Sequence, residues 1–105
     1  MSSYQTITPQ QAKRMMEEYP ECMILDVREV EEYASGHIEN AIPFVLGEID
    51  ADFAAECIPS RDTMLLVYCR SGKRSRMACQ MLSELGYTRV HNFGGIETWP
   101  YELTW

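Results

Sequence analysis

The sequence predicts an α/β fold in which a mostly parallel sheet carries helices on both faces. Segments that read as strands alternate with segments that read as helices along the whole chain, the order that βα units produce. The two clearest strand candidates, Cys22-Met23-Ile24-Leu25 and Met64-Leu65-Leu66-Val67-Tyr68, are continuous apolar runs, as in strands covered on both sides. Cys69 follows the second run directly and precedes a helical pattern. In sheets of this kind ligands sit beyond the carboxyl ends of strands.

Tyr4-Gln5-Thr6-Ile7 reads as a short first strand. Thr8 and Pro9 then open a helix, because threonine caps well and proline suits the first helical position. Ala12, Met15, Met16 and Tyr19 keep helical spacing until Pro20 stops it. The first apolar run leads into Asp26-Val27-Arg28. Residues 29–35 predict a short acidic helix, with Gly36 as its left-handed cap. Ala41-Ile42-Pro43 predicts a short extended piece. Ile49, Phe53, Ala54 and Cys57 predict a helix that ends before Pro59. The 64–68 strand comes next, then a helix over 75–85, with Ala78, Cys79, Leu82 and Leu85 on one face and Gly86 beyond it. Val90-His91-Asn92 predicts a last strand, Gly94-Gly95 a turn, and residues 96–102 a final helical turn or two.

The chain has 105 residues, which predicts one domain over 1–105. Its apolar runs reach about five or six residues, against roughly 20 for a membrane span. The first residues lack a basic segment and an apolar core, so no export signal is read and a cytoplasmic location is expected. The four cysteines show no C-x-x-C spacing, and His37 and His91 complete no zinc pattern, so the thiols are expected free and no metal is expected. Nine basic against sixteen acidic residues leave a net charge of −7, which argues against nucleic acid or an anionic membrane as partner.

Against that acidic background residues 63–83 contain no acidic residue, yet hold Arg70, Lys73, Arg74 and Arg76. A cysteine between a strand and a helix start can receive converging loop N–H groups and the positive end of the helix dipole. Both favour thiolate, the nucleophilic form. The pattern points to a reactive thiol at a site for a small anion.

Four segments then resemble the rhodanese (sulfurtransferase) family: Leu25-Asp26-Val27-Arg28 with Glu32-Tyr33, Gly36-His37-Ile38 with Asn40-Ala41-Ile42-Pro43, Tyr68-Cys69-Arg70-Ser71-Gly72-Lys73-Arg74-Ser75, and Asn92-Phe93-Gly94-Gly95-Ile96 with Trp99. Their order and spacing together carry the resemblance. It implies a small five-stranded parallel sheet and a thiosulfate-type sulfurtransferase without cofactor. Cys69 matches the nucleophile that becomes a persulfide. Arg70, Ser71, Gly72, Lys73, Arg74 and Ser75 match the loop that surrounds the sulfur and binds the donor. Asp26 and Arg28 match a supporting strand-end pair that shapes the loop's surroundings. The partners implied are a small anionic sulfur donor and a thiol, cyanide or protein-cysteine acceptor. Ser71-Gly72 is also compatible with mercaptopyruvate-using members.

Related phosphatases of similar fold carry His, Cys, five residues and Arg. Here four residues separate Cys69 from Arg74, and Tyr68 stands in place of the histidine, which favours sulfur transfer. A non-catalytic binding module and a phosphatase or arsenate reductase are the competing readings. Among the other residues, Cys22, Cys57 and Cys79 are read as packing, His37 as structural, and Trp99, Tyr101 and Trp105 as anchors of the C-terminus. Glu17, Glu18, Glu21, Glu29, Glu31 and Glu32 are read as solvated helix faces.

Overall fold

The computed structural model describes residues 3–105. The chain runs β1 (Gln5–Thr6), α1 (Pro9–Glu18), β2 (Met23–Asp26), α2 (Val30–Ala34), β3 (His37–Ile38), β4 (Ala41–Pro43), α3 (Ala51–Cys57), β5 (Leu65–Cys69), α4 (Lys73–Glu84), β6 (Val90–Gly95) and β7 (Leu103–Thr104). Five strands form one sheet in the order β1-β6-β5-β2-β4, with every neighbouring pair parallel. The helix starts follow their caps. Thr8 accepts the Gln11 N–H at 3.0 Å while the Gln11 side chain accepts the Thr8 N–H at 2.8 Å, and Asp50 accepts the Phe53 N–H at 2.8 Å.

Strand parity divides the core. Leu25, Val27, Leu65, Val67 and Cys69 face the side covered by Ala54, Ala78, Cys79 and Leu82 of α3 and α4. Ile24, Leu66, Tyr68 and Phe93 face the side covered by Ala12, Met15 and Met16 of α1 and Tyr33 of α2. Burying each large apolar side chain contributes about 1.5–3 kcal/mol. Cys69 thus lies on the α4 face by the same alternation that places its neighbours.

The chain's last segment departs from expectation. Residues 96–102 make only a 3-10 turn at Ile96–Thr98 and then extend. Pro100 forces Trp99 out of helical conformation (ψ 114°). The released chain pairs β7 with β3 as a separate antiparallel ribbon, His37 opposite Thr104 and Ile38 opposite Leu103. Trp99 anchors this segment by packing on Phe93 and Tyr101, whereas Trp105, expected as a further anchor, is 83% exposed. His37 stacks on Tyr33 with centroids 3.7 Å apart, and its Nδ1–H donates to the Tyr33 carbonyl at 3.0 Å, a packing role.

A buried ionic network ties the strand ends together on the α1 face. The Asp26 carboxylate accepts Arg28 Nε at 2.9 Å, Arg28 Nη2 at 2.7 Å, the Arg28 backbone N–H at 3.0 Å and the Tyr68 hydroxyl at 2.7 Å. Arg28 Nη2 also donates to the Gly36 carbonyl at 2.8 Å, and Tyr68 Oη accepts the Ile38 N–H at 3.1 Å. Burial works against the Arg28 cation, yet the Asp26 carboxylate more than offsets it, and the guanidinium is held above its ordinary pKa. Burial also drives the Tyr68 phenol far above its usual range, so it remains a donor.

Arg28→Met is expected to leave the Asp26 carboxylate buried without its cation, costing about 3–5 kcal/mol in urea denaturation at neutral pH. The double replacement Asp26→Leu with Arg28→Met is expected to recover most of that loss.

Candidate active site

β5 ends at Cys69, and α4 begins at Lys73 after three intervening residues. Gly72, the residue before the helix, has φ +107°, a conformation that lets the loop fold back over the sulfur without a Cβ penalty. The Gly72 N–H donates to Cys69 Sγ at 3.0 Å. Ser75 Oγ lies 3.6 Å from the same sulfur. Burial is the largest influence on this thiol and raises its pKa; the Ser75 N–H, the Ser75 hydroxyl, and the Gly72 and Ser71 N–H groups together outweigh it, and the pKa falls below the ordinary value. Cys69 has 0% exposure, beneath a loop rim whose Arg70, Ser71 and Lys73 are exposed.

The loop rests on β6. Val67 pairs with Asn92, but Cys69 pairs with Gly95, so β6 carries one residue more than β5 between these pairs. This irregularity brings Gly94 and Gly95 beneath the loop. A Cβ on Gly95 would sit 1.9 Å from the Arg70 carbonyl oxygen, so any other residue there displaces the loop. The Arg70 carbonyl accepts the Glu97 N–H at 3.2 Å from the following turn. Gly94 and Gly95, expected as a turn, are therefore strand residues: Gly95 admits the loop by its lack of a side chain, and Gly94 supplies a φ of +93°.

The loop residues separate into three groups. Ser75 is buried behind the sulfur. Arg70, Ser71 and Lys73 are exposed at the rim; the Arg70 side chain is 68% exposed, with Nε 3.5 Å from Glu97 Oε2. Arg74 turns away to α2, where its guanidinium makes a bidentate pair with Glu32 at 2.7 and 3.0 Å. Arg74 still interacts electrostatically with the sulfur, but its hydrogen-bonding groups are engaged by Glu32. Glu32 is thus no solvated helix face. Sequence proximity hid this pair because the two residues are 42 positions apart. Asp26 and Arg28 lie on the opposite sheet face from Cys69, and their link to the loop runs through Tyr68, the residue preceding the nucleophile candidate.

Asn92 and Glu97 were not singled out from sequence. Asn92 Oδ1 accepts the Ser75 hydroxyl at 2.7 Å and the Gly94 N–H at 3.0 Å. An amide between Val90 and Phe93 in a buried strand was the available signal. Cys79, by contrast, is buried among core residues, and burial pushes its thiol up to about 12.

The Arg74 hydrogen bonds and charge hold the Glu32 carboxyl at about 2, against an ordinary value of 4.5. A depressed carboxylate pKa contributes stability that is present above 4.5 and lost as pH falls through about 2. Glu32→Gln is therefore expected to be less stable than the native chain at neutral pH, with the difference shrinking between pH 4.5 and 2, as followed by denaturant titration at a series of pH values.

The model for the rhodanese-like domain matches residues 8–101. Thiosulfate sulfurtransferase PspE of Escherichia coli is 38% identical over 73 residues, covering 70% of this chain and 69% of the relative. Human thiosulfate:glutathione sulfurtransferase is 32% identical over 83 residues, covering 69% and 72%. Among solved structures, a rhodanese with anions from E. coli superimposes with a TM-score of 0.72 at 34% identity, over 78% of this chain and 95% of that one.

Proposed function

The chain belongs to the rhodanese-like domain family, and from that premise we propose that it is a sulfurtransferase in which Cys69 carries a sulfane sulfur from thiosulfate or a related anionic donor to a thiophilic acceptor. The observation that carries this reading is the cluster of N–H and O–H donors on the Cys69 sulfur at the start of α4. The relatives' activities support the reaction class.

In the first half-reaction the Cys69 thiolate attacks the outer sulfur of thiosulfate. A new S–S bond forms, the old one breaks, and sulfite leaves with its electron pair. The charge on the product persulfide lies on the outer sulfur, within reach of loop N–H groups that already point inward. In the second half-reaction an acceptor thiolate or cyanide attacks that outer sulfur. The bond to Cys69 breaks and its electron pair returns to Sγ. Neither step requires a metal or an organic cofactor. Arg70 and Lys73, exposed at the rim, are suited to the sulfite oxygens. A thiol in a reducing compartment such as the cytoplasm is the acceptor that fits this chemistry best.

A phosphatase reading is weaker. Four residues between Cys69 and Arg74 make a loop that closes on one sulfur, and Arg74, the residue that would bind a phosphoryl oxygen pair, is engaged by Glu32.

Incubation with thiosulfate is expected to add the mass of one sulfur atom to the intact protein, and the Cys69→Ala protein is expected to gain none. No gain from thiosulfate, mercaptopyruvate or polysulfide would instead favour a non-catalytic binding module; turnover of a phosphate ester would favour a phosphatase.

Arg70→Ala is expected to slow thiosulfate loading about tenfold while changing Cys69 alkylation by neutral iodoacetamide less than twofold, as lost charge-assisted contacts to the donor imply. Equal losses in the two assays would assign Arg70 to tuning the thiol.

A further inference from the structure

The hydrogen bonds behind the sulfur continue past Ser75. Ser75 Oγ lies 2.7 Å from Asn92 Oδ1, 3.1 Å from the Gly72 carbonyl, 3.3 Å from the Gly94 carbonyl and 3.6 Å from Cys69 Sγ. A hydroxyl has one proton and serves one acceptor fully at a time. The shortest contact is to Asn92. That amide oxygen also accepts the Gly94 N–H at 3.0 Å, and two donors on one atom fix which way the amide faces. Asn92 is 5% exposed in a strand segment otherwise lined by Val90 and Phe93, where an amide is retained at a cost unless its hydrogen bonds are used.

We propose that Asn92 is a positioning residue for the Cys69 reaction: its side-chain oxygen holds the Ser75 hydroxyl proton while the sulfur is neutral and yields it when the sulfur is anionic. The inference rests on the reading of Cys69 as the nucleophile.

The bookkeeping of hydrogen bonds closes in each state. As a thiol, Cys69 donates its S–H to Ser75 Oγ, and Ser75 donates to Asn92. As a thiolate, Cys69 has nothing to donate; the hydroxyl turns and donates to sulfur, while Asn92 keeps the Gly94 N–H. With the extra sulfur loaded, Sγ is divalent and neutral, the negative charge sits on the outer sulfur, and the hydroxyl returns to Asn92. When an acceptor attacks the outer sulfur, the S–S bond breaks, the electron pair returns to Sγ, and the hydroxyl donates to it again. Ser75 keeps its proton throughout, and no oxidant or reductant enters. Asn92 competes with the thiolate for one donor, so it moderates the acidity that the loop N–H groups confer. A less stabilised thiolate is intrinsically the better nucleophile.

Arg74 and Cys79, both on α4, interact electrostatically with the sulfur, and Arg74 is already paired with Glu32 of α2; the loop itself adds the cations Arg70 and Lys73 at its rim, with Glu97 beside Arg70. From β6 the groups brought to the loop are Asn92, Gly94 and Gly95, none of which titrates. The part of a Cys69 titration shift on changing Asn92 that requires the Ser75 hydroxyl reports that hydrogen bond.

The experiment is the pH dependence of Cys69 alkylation by iodoacetamide in the full chain, read by peptide mass so that the other cysteines do not contribute. Asn92→Ala is expected to move the profile to lower pH, with about a threefold larger thiolate fraction below the midpoint, the size of one modest hydrogen bond. The shift is expected to vanish in a Ser75→Ala background. Asn92→Asp keeps both accepted hydrogen bonds and the side-chain shape. It is expected to move the profile to higher pH, and further with Ser75 present than with Ser75→Ala; it also serves if Asn92→Ala does not fold. An unchanged profile in Asn92→Ala or Asn92→Asp, or equal shifts with and without the Ser75 hydroxyl, would overturn the proposal. Alkylation needs no sulfur donor, so failure of thiosulfate loading would count against the proposed activity and leave this result standing separately.

Discussion

A buried sulfur that is nevertheless easy to ionise depends on one balance: burial pushes the Cys69 thiol up, and the hydrogen-bond donors of residues 71–75 pull it down further. Those donors converge only because the loop after β5 folds back on itself at Gly72 and lies flat on Gly94 and Gly95 of β6. A side chain at position 95 would meet the Arg70 carbonyl and lift the loop, taking the Gly72 N–H with it. The chemistry of the sulfur is thus set by how closely two backbone segments approach, and the approach is set by glycine.

The molecule contains its own control for this argument. Cys79 lies in the same core cluster as Cys69, on the helix that Cys69 precedes, and has the same 0% exposure. Burial, with a smaller push from the charge on Cys69, drives its pKa up to about 12. The two thiols share residue type, 0% exposure and a core cluster, but Cys79 is packed the more deeply and Cys69 has N–H and O–H groups directed at its sulfur; the two differences together separate a raised pKa from a lowered one.

Most of the fold was legible because it rests on local rules. Thr8-Pro9, the continuous runs at β2 and β5, Gly36 and Gly86 mark element ends by mechanisms that act within a few residues. The Cys69 loop was legible for the same reason, since strand, loop and helix start are contiguous. What stayed hidden is pairing across distance. The β3–β7 ribbon joins residues more than sixty positions apart through two-residue strands with no periodic signal. Gly94 and Gly95 carry the local signature of a turn, but they lie in β6, and Gly95 lets another segment pass. Asn92 and Glu32 read as an ordinary strand amide and an ordinary helix carboxylate until the fold brings Ser75 and Arg74 to them.

The apparent charge of the loop changes for the same reason. In the sequence, residues 63–83 are cationic without a counter-charge. In the fold, Glu32 from α2 neutralises Arg74 and Glu97 from the turn after β6 stands beside Arg70. The Arg74–Glu32 pair is bidentate and half-buried, so it fixes the first turn of α4 against α2; the Arg70–Glu97 pair is exposed and 3.5 Å long, which is weak in water and easily exchanged. The two ion pairs therefore divide the labour. One ties the start of α4 to α2, and the other leaves a guanidinium at the rim that can exchange its partner for the proposed anionic donor at little cost. Stabilisation of the buried thiolate then comes mainly from backbone N–H dipoles that the loop holds in place, with the Ser75 hydroxyl as a donor that can turn toward the sulfur. Net positive charge contributes at the mouth, where the proposed anionic donor approaches an otherwise acidic protein.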